Sequence, residues 1–318
     1  MSASIYNMEL IDSSNKTLGE LDYLILASGS DSRAYEVLSK CGSISKNQVI
    51  FFHFNERLKG LEENDPLFNF KKYSYKNLQE IFCEIKNPSS CLEDVEKNKF
   101  SNSTKIGIDI SCLTKPYIYF IIKLLRERFG IEKLSVFYTE PKSYLFPKGL
   151  FNAFHTSSGP LSIFEIPGYS GQEKRGAKRK LIILLGFDGD LSKEINEDVS
   201  PHDTVVVNGF PSYTPKFKDI SLITNEKLVS DHNISIAYAR ANNPFEIYNL
   251  LQMIKDKEAA NTFINVAPLG TKPMALGACL FALHNPDVRI VYPLPENYEN
   301  KYSDKSWNSW IYDLPLIN

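Results

Sequence analysis

The chain alternates short apolar runs with longer stretches in which apolar and polar residues recur at helical spacing. In the first half the apolar runs fall at 24–26, 49–52, 106–110 and 134–138. Continuous apolar runs of this length are typical of strands covered on both faces, as in parallel sheets. Because parallel strands are joined by crossover connections that are almost always right-handed, the pattern predicts Rossmann-like α/β architecture.

The second half of the chain repeats the order of elements found in the first half. The segment DYLILASGSDSRAYEVL has the same pattern as the later segment RKLIILLGFDGDLSKEI, namely an apolar strand, a turn of small residues and a helical stretch. Matching positions in the two halves lie a nearly constant number of residues apart, which indicates a tandem duplication. The matching positions are Gly29 and Gly186, Asn87-Pro88 and Asn243-Pro244, Thr114-Lys115-Pro116 and Thr271-Lys272-Pro273, and Tyr144 and Tyr298.

The predicted fold class is therefore α/β, with two tandem Rossmann-like units of mainly parallel sheet related by internal duplication. We place the first unit at 1–146, a connection at 147–180, and the second unit with an aromatic C-terminal tail at 181–318. The connection is rich in glycine and proline and ends in a basic run. Such a segment is typical of a solvated linker, and contact between its basic run and an anionic ligand or partner is the alternative.

Composition and charge narrow the class of protein. The chain has 36 Lys and Arg against 38 Asp and Glu, a net charge of -2, which argues against a chain-wide surface for polyanions. No apolar run approaches the roughly 20 residues that span a bilayer, and the first residues lack the basic start and apolar centre of a signal peptide. The five cysteines are widely spaced without a CxxC pair, which argues against a disulfide scaffold or a zinc ribbon. We therefore expect a cytoplasmic protein.

Each half has a first loop that follows a strand end, where open α/β sheets bind their ligands. In the first half this loop contains Ser28, Gly29 and Ser30, and its counterpart in the second half begins at Gly186. Glycine lets the backbone approach a ligand closely, while hydroxyl and N–H groups hold oxygen atoms. Neither loop matches the dinucleotide fingerprint or the P-loop. A tight turn capped by serine or aspartate is the alternative, and the carboxylate of Asp188 would repel phosphate.

The second loop of each half opens a helix with the sequence Thr-Lys-Pro. A well-formed helix start explains the threonine as a cap and the proline as a first-turn residue. It does not explain a lysine, which opposes the helix dipole at a cost of roughly 0.3–1 kcal/mol unless an anion is present. Since the lysine occurs twice, we expect an anionic ligand, preferably phosphate, at Thr114, Lys115, Thr271 and Lys272.

The stretch INVAPLGTKPM, a strand that runs into Gly-Thr-Lys-Pro-Met at the start of a helix, resembles the second ligand motif of CARF domains. CARF domains are Rossmann-like sensors of cyclic oligonucleotides. Two such units in one chain resemble the SAVED arrangement of bacterial anti-phage defence systems. The resemblance implies a nucleotide-sensing or adaptor protein that needs no cofactor and acts through a separate effector or a defence-complex subunit. The ligand would bind in a cleft between the units, lined by Ser28, Gly29, Ser30, Thr114 and Lys115 and by Gly186, Thr271 and Lys272.

Two other functions stay open. The first is a phosphodiesterase such as a ring nuclease, for which Asp109 is the candidate catalytic residue, because a carboxylate at the end of a buried strand needs a partner. A bracing role in the loop is the alternative for Asp109. The second is a ligand-free structural subunit of a defence complex. No metal site is expected, since the histidines lack metal-ligand spacing and are interpreted as surface or capping residues; they are His53, His155, His202, His232 and His284.

The C-terminal tail contains both tryptophans, Trp307 and Trp310. If the tail is helical, their rings lie on one face. We expect the tail to pack against the second half. An aromatic anchor for a partner protein is the alternative, because exposed tryptophan and tyrosine side chains are typical of interface hot spots.

Overall fold

In the computed structural model the chain forms two large sheets, each built mainly of parallel strands, and one small two-stranded sheet. One compact unit comprises Met1–Leu145 with Asn300–Asn318, and the other comprises Phe146–Glu299. The structure describes residues 7–11, 20–29, 31–40, 48–58, 66–72, 75, 77–144, 157–158, 162–294, 297–298 and 303–317.

The strands are numbered along the chain. They are β1 (Asn7–Leu10), β2 (Tyr23–Ala27), β3 (Gln48–Phe54), β4 (Asn77–Cys83), β5 (Ile106–Asp109), β6 (Lys133–Tyr144), β7 (Ser157–Ser158), β8 (Ser162–Glu165), β9 (Lys178–Leu184), β10 (Asp203–Gly209), β11 (Ile234–Ala239), β12 (Thr262–Pro268), β13 (Arg289–Leu294), β14 (Asn297–Tyr298) and β15 (Ser303–Pro315). The first sheet has the order β1-β15-β6-β5-β2-β3-β4 and the second has the order β11-β10-β9-β12-β13-β8.

The helices connect the parallel strands as crossovers. They are α1 (Glu36–Lys40), α2 (Asn55–Leu58), α3 (Leu92–Glu96), α4 (Lys115–Phe129), α5 (Gly189–Val199), α6 (Pro215–Thr224), α7 (Glu226–Val229), α8 (Pro244–Lys257) and α9 (Lys272–His284). Helix α4 shows why these stretches start and stop where they do. Pro116 occupies its first turn, and Gly130 ends it with φ +67° and an N–H that donates to the carbonyl of Arg126.

The two sheets have the same strand order, which confirms the predicted α/β fold of two duplicated units. Reading inwards from one edge, β4-β3-β2-β5-β6 in the first unit corresponds to β11-β10-β9-β12-β13 in the second. Each parallel set then receives an antiparallel strand, β15 in the first unit and β8 in the second.

The core of each unit lies between its sheet and the helices. Leu24, Ile25 and Leu26 of β2 are at most 1% exposed, and helix α9 is buried on nearly all sides. Burial of each such side chain contributes about 1.5–3 kcal/mol. Among the described residues, each helix is too short or too polar to cross a membrane.

The C-terminal tail corrects the expected division of the chain. It forms β15 and pairs with β6 and β1 of the first sheet, so the predicted packing on the second half is wrong. It is also a strand and not a helix. Tyr312, Leu314 and Leu316 are buried at every second position, which is the period of a strand with one face on a core.

The connection at 147–180 also differs from a solvated linker over its described part. Strand β8 pairs antiparallel with β13, and Ile166 and Tyr169 are buried. Two residues of the basic run are held by carboxylates of their own unit. Arg179 pairs with Glu173, and Lys180 pairs with Asp203 and Glu258. These ion pairs stabilise the amino-terminal edge of the second sheet. Arg179 and Lys180 are therefore not available to bind an anionic ligand or partner.

Candidate functional site

Three segments converge at the carboxyl edge of the first sheet. They follow β2, β3 and β5, whose carboxyl ends meet at one edge because the strands are parallel. A Cβ atom added to Gly29 would lie 3.1 Å from Sγ of Cys112, so the first and second loops pack against each other. Arg57, which follows β3, donates from Nη1 to the carbonyl of Cys112 at 3.3 Å. Arg57 thus places a guanidinium at this edge that sequence reasoning missed.

Ser28 is held inside the unit by a buried histidine. Its Oγ lies 2.8 Å from Nδ1 of His53, and each residue is 1% exposed. Burial lowers the pKa of His53 to about 4, so the ring is neutral at pH 7. The interpretation of this histidine as a surface or capping residue is therefore wrong. Ser30, the other serine predicted to bind a ligand, lies outside the described residues.

The carboxylate of Glu80 lies next to the Ser28–His53 pair, but the pair is buried and a substrate cannot reach it. Nε2 of His53 lies 3.1 Å from Oε1 of Glu80, without the direction of a hydrogen bond. The imidazole ring packs 5.0–5.1 Å from the rings of Phe70 and Phe82. Although serine, histidine and carboxylate follow one another here, the serine Oγ is sealed from solvent. We interpret the arrangement as a brace for the first loop.

Asp109 braces the second loop. It is 1% exposed, and its Oδ1 accepts a hydrogen bond from the N–H of Ser111 at 2.9 Å. The hydroxyl of Ser111 in turn accepts from the N–H of Thr139. The sheet registers place Asp109 in correspondence with Ala267 of the second unit. A carboxylate at this position is therefore particular to the first unit.

Helix α4 begins without a side-chain cap. Thr114 has the extended backbone of an N-cap residue, yet its side chain accepts no hydrogen bond from the first turn. The residue is 7% exposed, and Oγ1 has no hydrogen-bond partner in the part of the chain that the structure describes. Such a buried hydroxyl costs about 1–3 kcal/mol when it is left unpaired. The first turn carries no acidic side chain, and Lys115 is its first residue.

The corresponding first loop of the second unit is filled by its own backbone and side chains. A Cβ atom at Gly186 would lie 2.6 Å from the carbonyl oxygen of Leu269. The Gly186 carbonyl accepts hydrogen bonds from Ser221 and Asn225. Asp188 is buried and caps α5 through the N–H of Leu191. These contacts match the capped-turn alternative for this loop.

Helix α9 is capped where α4 is not. The hydroxyl of Thr271 donates to the carbonyl of Ala241 and accepts from the N–H of Met274 at 3.3 Å. Both hydrogen-bonding directions of this hydroxyl are therefore used inside the unit. Two threonines at matching positions thus differ: the hydroxyl of Thr114 is not used within the described residues, and the hydroxyl of Thr271 has no proton left to donate to an anion.

This difference predicts opposite effects of one substitution. Thr271→Val should lower the free energy of unfolding by about 1–2 kcal/mol, because it removes a cap and a hydrogen bond. Thr114→Val should leave it unchanged or raise it by about 1 kcal/mol, since the lost hydroxyl is unpaired. Urea unfolding of both variants beside the wild type measures the difference. Equal destabilisation by the two substitutions would contradict the asymmetry.

The buried thiols of Cys83 and Cys91 have a structural role. Burial raises the pKa of Cys83 to about 12 and also raises the pKa of Cys91, so both thiols stay protonated. Within the described ranges, no group of three His, Cys, Asp or Glu side chains is arranged to hold a metal ion.

The two tryptophans have different environments on β15. Trp310 donates from Nε1 to Oε1 of Glu140 at 2.7 Å and is partly buried. Trp307 is 50% exposed, with Nζ of Lys142 located 5.0 Å from its ring centroid. Trp310 is therefore engaged within the first unit, whereas Trp307 presents its ring to solvent.

No protein-family model matches this sequence, and no curated protein matches it. Among solved structures, the fold is similar to that of a Type III CRISPR defence DNA nuclease activated by cyclic oligoadenylate, with a TM-score of 0.51 and 11% sequence identity. The similarity covers 85% of this chain and 65% of the nuclease chain. At this identity the likeness concerns the fold, and to that extent it agrees with the resemblance predicted from the sequence.

Proposed function

We propose that this protein senses an anionic nucleotide of the cyclic oligonucleotide class in a defence system and acts through a separate effector protein. The observation that carries the proposal is the start of α4, where a helix N-terminus, a lysine and a buried hydroxyl that no described residue hydrogen-bonds come together. A phosphate bound at this helix start would accept hydrogen bonds from the N–H groups of the first turn and from the ammonium of Lys115. A rotation of the Thr114 side chain would bring its hydroxyl to the same phosphate.

The surroundings of α4 support a ligand with more than one phosphate. Arg57 adds a second cation at the same sheet edge, and a guanidinium binds phosphate oxygens through paired N–H groups. Gly29 keeps the first loop close to the second. The ligand-binding set that we propose is centred on Gly29, Arg57, Thr114 and Lys115. The two loops of the second unit are filled by contacts within that unit. We therefore propose a smaller contribution to ligand binding from their residues Gly186, Thr271 and Lys272.

The fold likeness supports the class of ligand. The similar solved structure is a nuclease activated by cyclic oligoadenylate, a ring of nucleotides joined by phosphodiesters. The Gly-Thr-Lys-Pro-Met stretch that resembles a CARF motif lies in the closed loop pair of the second unit, so it supports this class of ligand only through the fold. Asp109 braces a loop, which favours a sensing role over a phosphodiesterase. Trp307 is an exposed aromatic residue of the C-terminal tail, and we expect the effector to bind there.

Thermal unfolding of the full chain in the presence of different anions tests the proposal. The probes are cyclic oligoadenylates of different ring size, cyclic dinucleotides, linear oligoadenylate, ATP and inorganic phosphate. A ligand at 100 times its dissociation constant adds about 2.7 kcal/mol of stability, so the melting temperature should rise by several degrees with a cyclic probe and less with phosphate. Chromatography of the recovered probe reports whether it was cleaved. No shift with any nucleotide would overturn the proposal and favour a ligand-free structural subunit.

A further inference from the structure

The outer edge of the second sheet is an uncharged strand with exposed apolar side chains. Strand β11 has the sequence ISIAYA, and no described strand pairs with its outer side. Ile236 is 41% exposed and Tyr238 is 50% exposed. Phe210, whose ring centroid lies 6.2 Å from that of Tyr238, is 51% exposed. An uncovered apolar edge of this kind favours pairing with another strand.

The backbone of β11 has hydrogen-bonding groups directed away from the sheet. The carbonyls of Asn233 and Ala239 accept hydrogen bonds from β10 and the residue that follows it. Because successive residues of a strand direct their N–H and C=O groups to opposite sides, Ile234, Ile236 and Tyr238 direct theirs outwards. These three residues form a short, regular edge for an additional strand.

The matching edge of the first sheet carries one carboxylate, Glu80, between the exposed apolar side chains of Leu78 and Phe82. In the first unit, one row of paired residues runs across the sheet from Leu26 through Phe51 to Glu80. In the second unit, the corresponding row runs from Ile183 through Val206 to Ile236. Glu80 and Ile236 thus occupy the same register position. If two copies of β4 paired antiparallel about this position, two glutamates would lie opposite each other, which is destabilising. Two copies of β11 would place two isoleucines there.

We infer that two copies of this chain associate through β11, antiparallel, about a two-fold axis at Ile236. This register sets Ile234 of one copy opposite Tyr238 of the other, so the apolar side chains cover each other on one face. A two-fold axis of this kind is the commonest symmetry of soluble oligomers. The inference is independent of the proposed function.

The molar mass of the full chain in solution tests the dimer. Light scattering after size-exclusion chromatography, at about 1 to 100 µM protein, should give twice the 36.2 kDa of the chain. Ile236→Lys should give the monomer mass, because two lysines would face each other in the apolar centre of the interface. Glu80→Lys, at the same register position of the other sheet, should stay dimeric. A wild-type monomer at all concentrations, or a dimer that survives Ile236→Lys, would overturn the inference.

A cysteine at the axis gives a positive signal that does not depend on destabilising the protein. In a hydrogen-bonded antiparallel pair the facing Cα atoms are about 5.5 Å apart, within the roughly 4.4–6.8 Å range of disulfides. Ile236→Cys should therefore form a covalent dimer on mild oxidation, whereas Glu80→Cys and the wild type should not. The native cysteines that the structure describes are buried. Absence of the covalent dimer from Ile236→Cys would contradict the proposed register.

Discussion

Replacing Lys115 with alanine is expected to weaken binding of a cyclic oligonucleotide about ten- to a hundredfold. A hydrogen bond to a charged group contributes about 1.5–3 kcal/mol, and each 1.4 kcal/mol is a factor of ten in affinity. The lysine lies at the start of α4, where Thr114 leaves the first turn without a cap. Isothermal titration calorimetry with the nucleotide that gives the largest thermal shift measures the loss.

Lys272→Ala is the matched control, since Lys272 starts α9 just as Lys115 starts α4. The repeat alone predicts equal losses for the two variants. The closed loop pair of the second unit predicts a smaller loss at Lys272, because Thr271 is already used as a cap and as a donor to Ala241. The melting temperature of Lys115→Ala should stay the same or rise, since an unfavourable contact with the helix dipole disappears. Unchanged affinity together with a lower melting temperature would show that Lys115 braces its own unit.

Acidification should destabilise the first unit through His53. A histidine in an unfolded chain has a pKa of about 6.5, and burial lowers the pKa of His53 in the folded protein to about 4. Between these values the unfolded chain binds a proton that the folded unit does not, so the free energy of unfolding falls as the pH is lowered. The full loss is about 3 kcal/mol below pH 4, and there is none above pH 6.5. The nearby carboxylate of Glu80 would offset part of the loss, but it is 40% exposed and not hydrogen-bonded to the ring.

Urea unfolding at several pH values between 7.5 and about 4 measures this contribution. Other carboxyl groups titrate in the same range, so the informative quantity is the difference between wild type and His53→Gln. That difference should change with pH, whereas His232→Gln, at an exposed position, should follow the wild type. Parallel curves for wild type and His53→Gln would contradict a neutral, buried ring.

Sequence patterns alone determined the two parallel sheets. Strands with continuous apolar runs, such as residues 24–26, have buried side chains on both faces of their sheet. Only a sheet covered by helices on both faces accommodates them. The repeated turns at Gly29 and Gly186 marked the same strand end in each unit, and the Thr-Lys-Pro stretches marked the helix starts. These signals are local, since each depends on residues within one or two turns of chain.

The buried histidine and the additional arginine needed long-range information. His53 lies near the end of an apolar strand, a placement that gave some indication of burial. Its hydrogen bond to Ser28 and its contact with Phe82, however, join separate segments of the sheet. Arg57 follows the same strand, and it is recognised as part of the site only through its hydrogen bond to Cys112 of another loop. Pairings of this kind depend on strand order, which no local pattern specifies.

The residue pattern was enough to predict the duplicated α/β architecture and the position of two candidate loops in each unit. The position of β15 between β1 and β6 of the first sheet became evident from the fold, because the place of a strand in a sheet depends on the hydrogen-bonding partners it meets. The tertiary structure also decided that the two loop pairs are not equivalent. At Gly186 the backbone of Leu269 fills the space beside the loop, while at Gly29 the neighbour is the side chain of Cys112. Packing of distant segments, which a repeat in the sequence does not encode, separates an open helix start from a closed one.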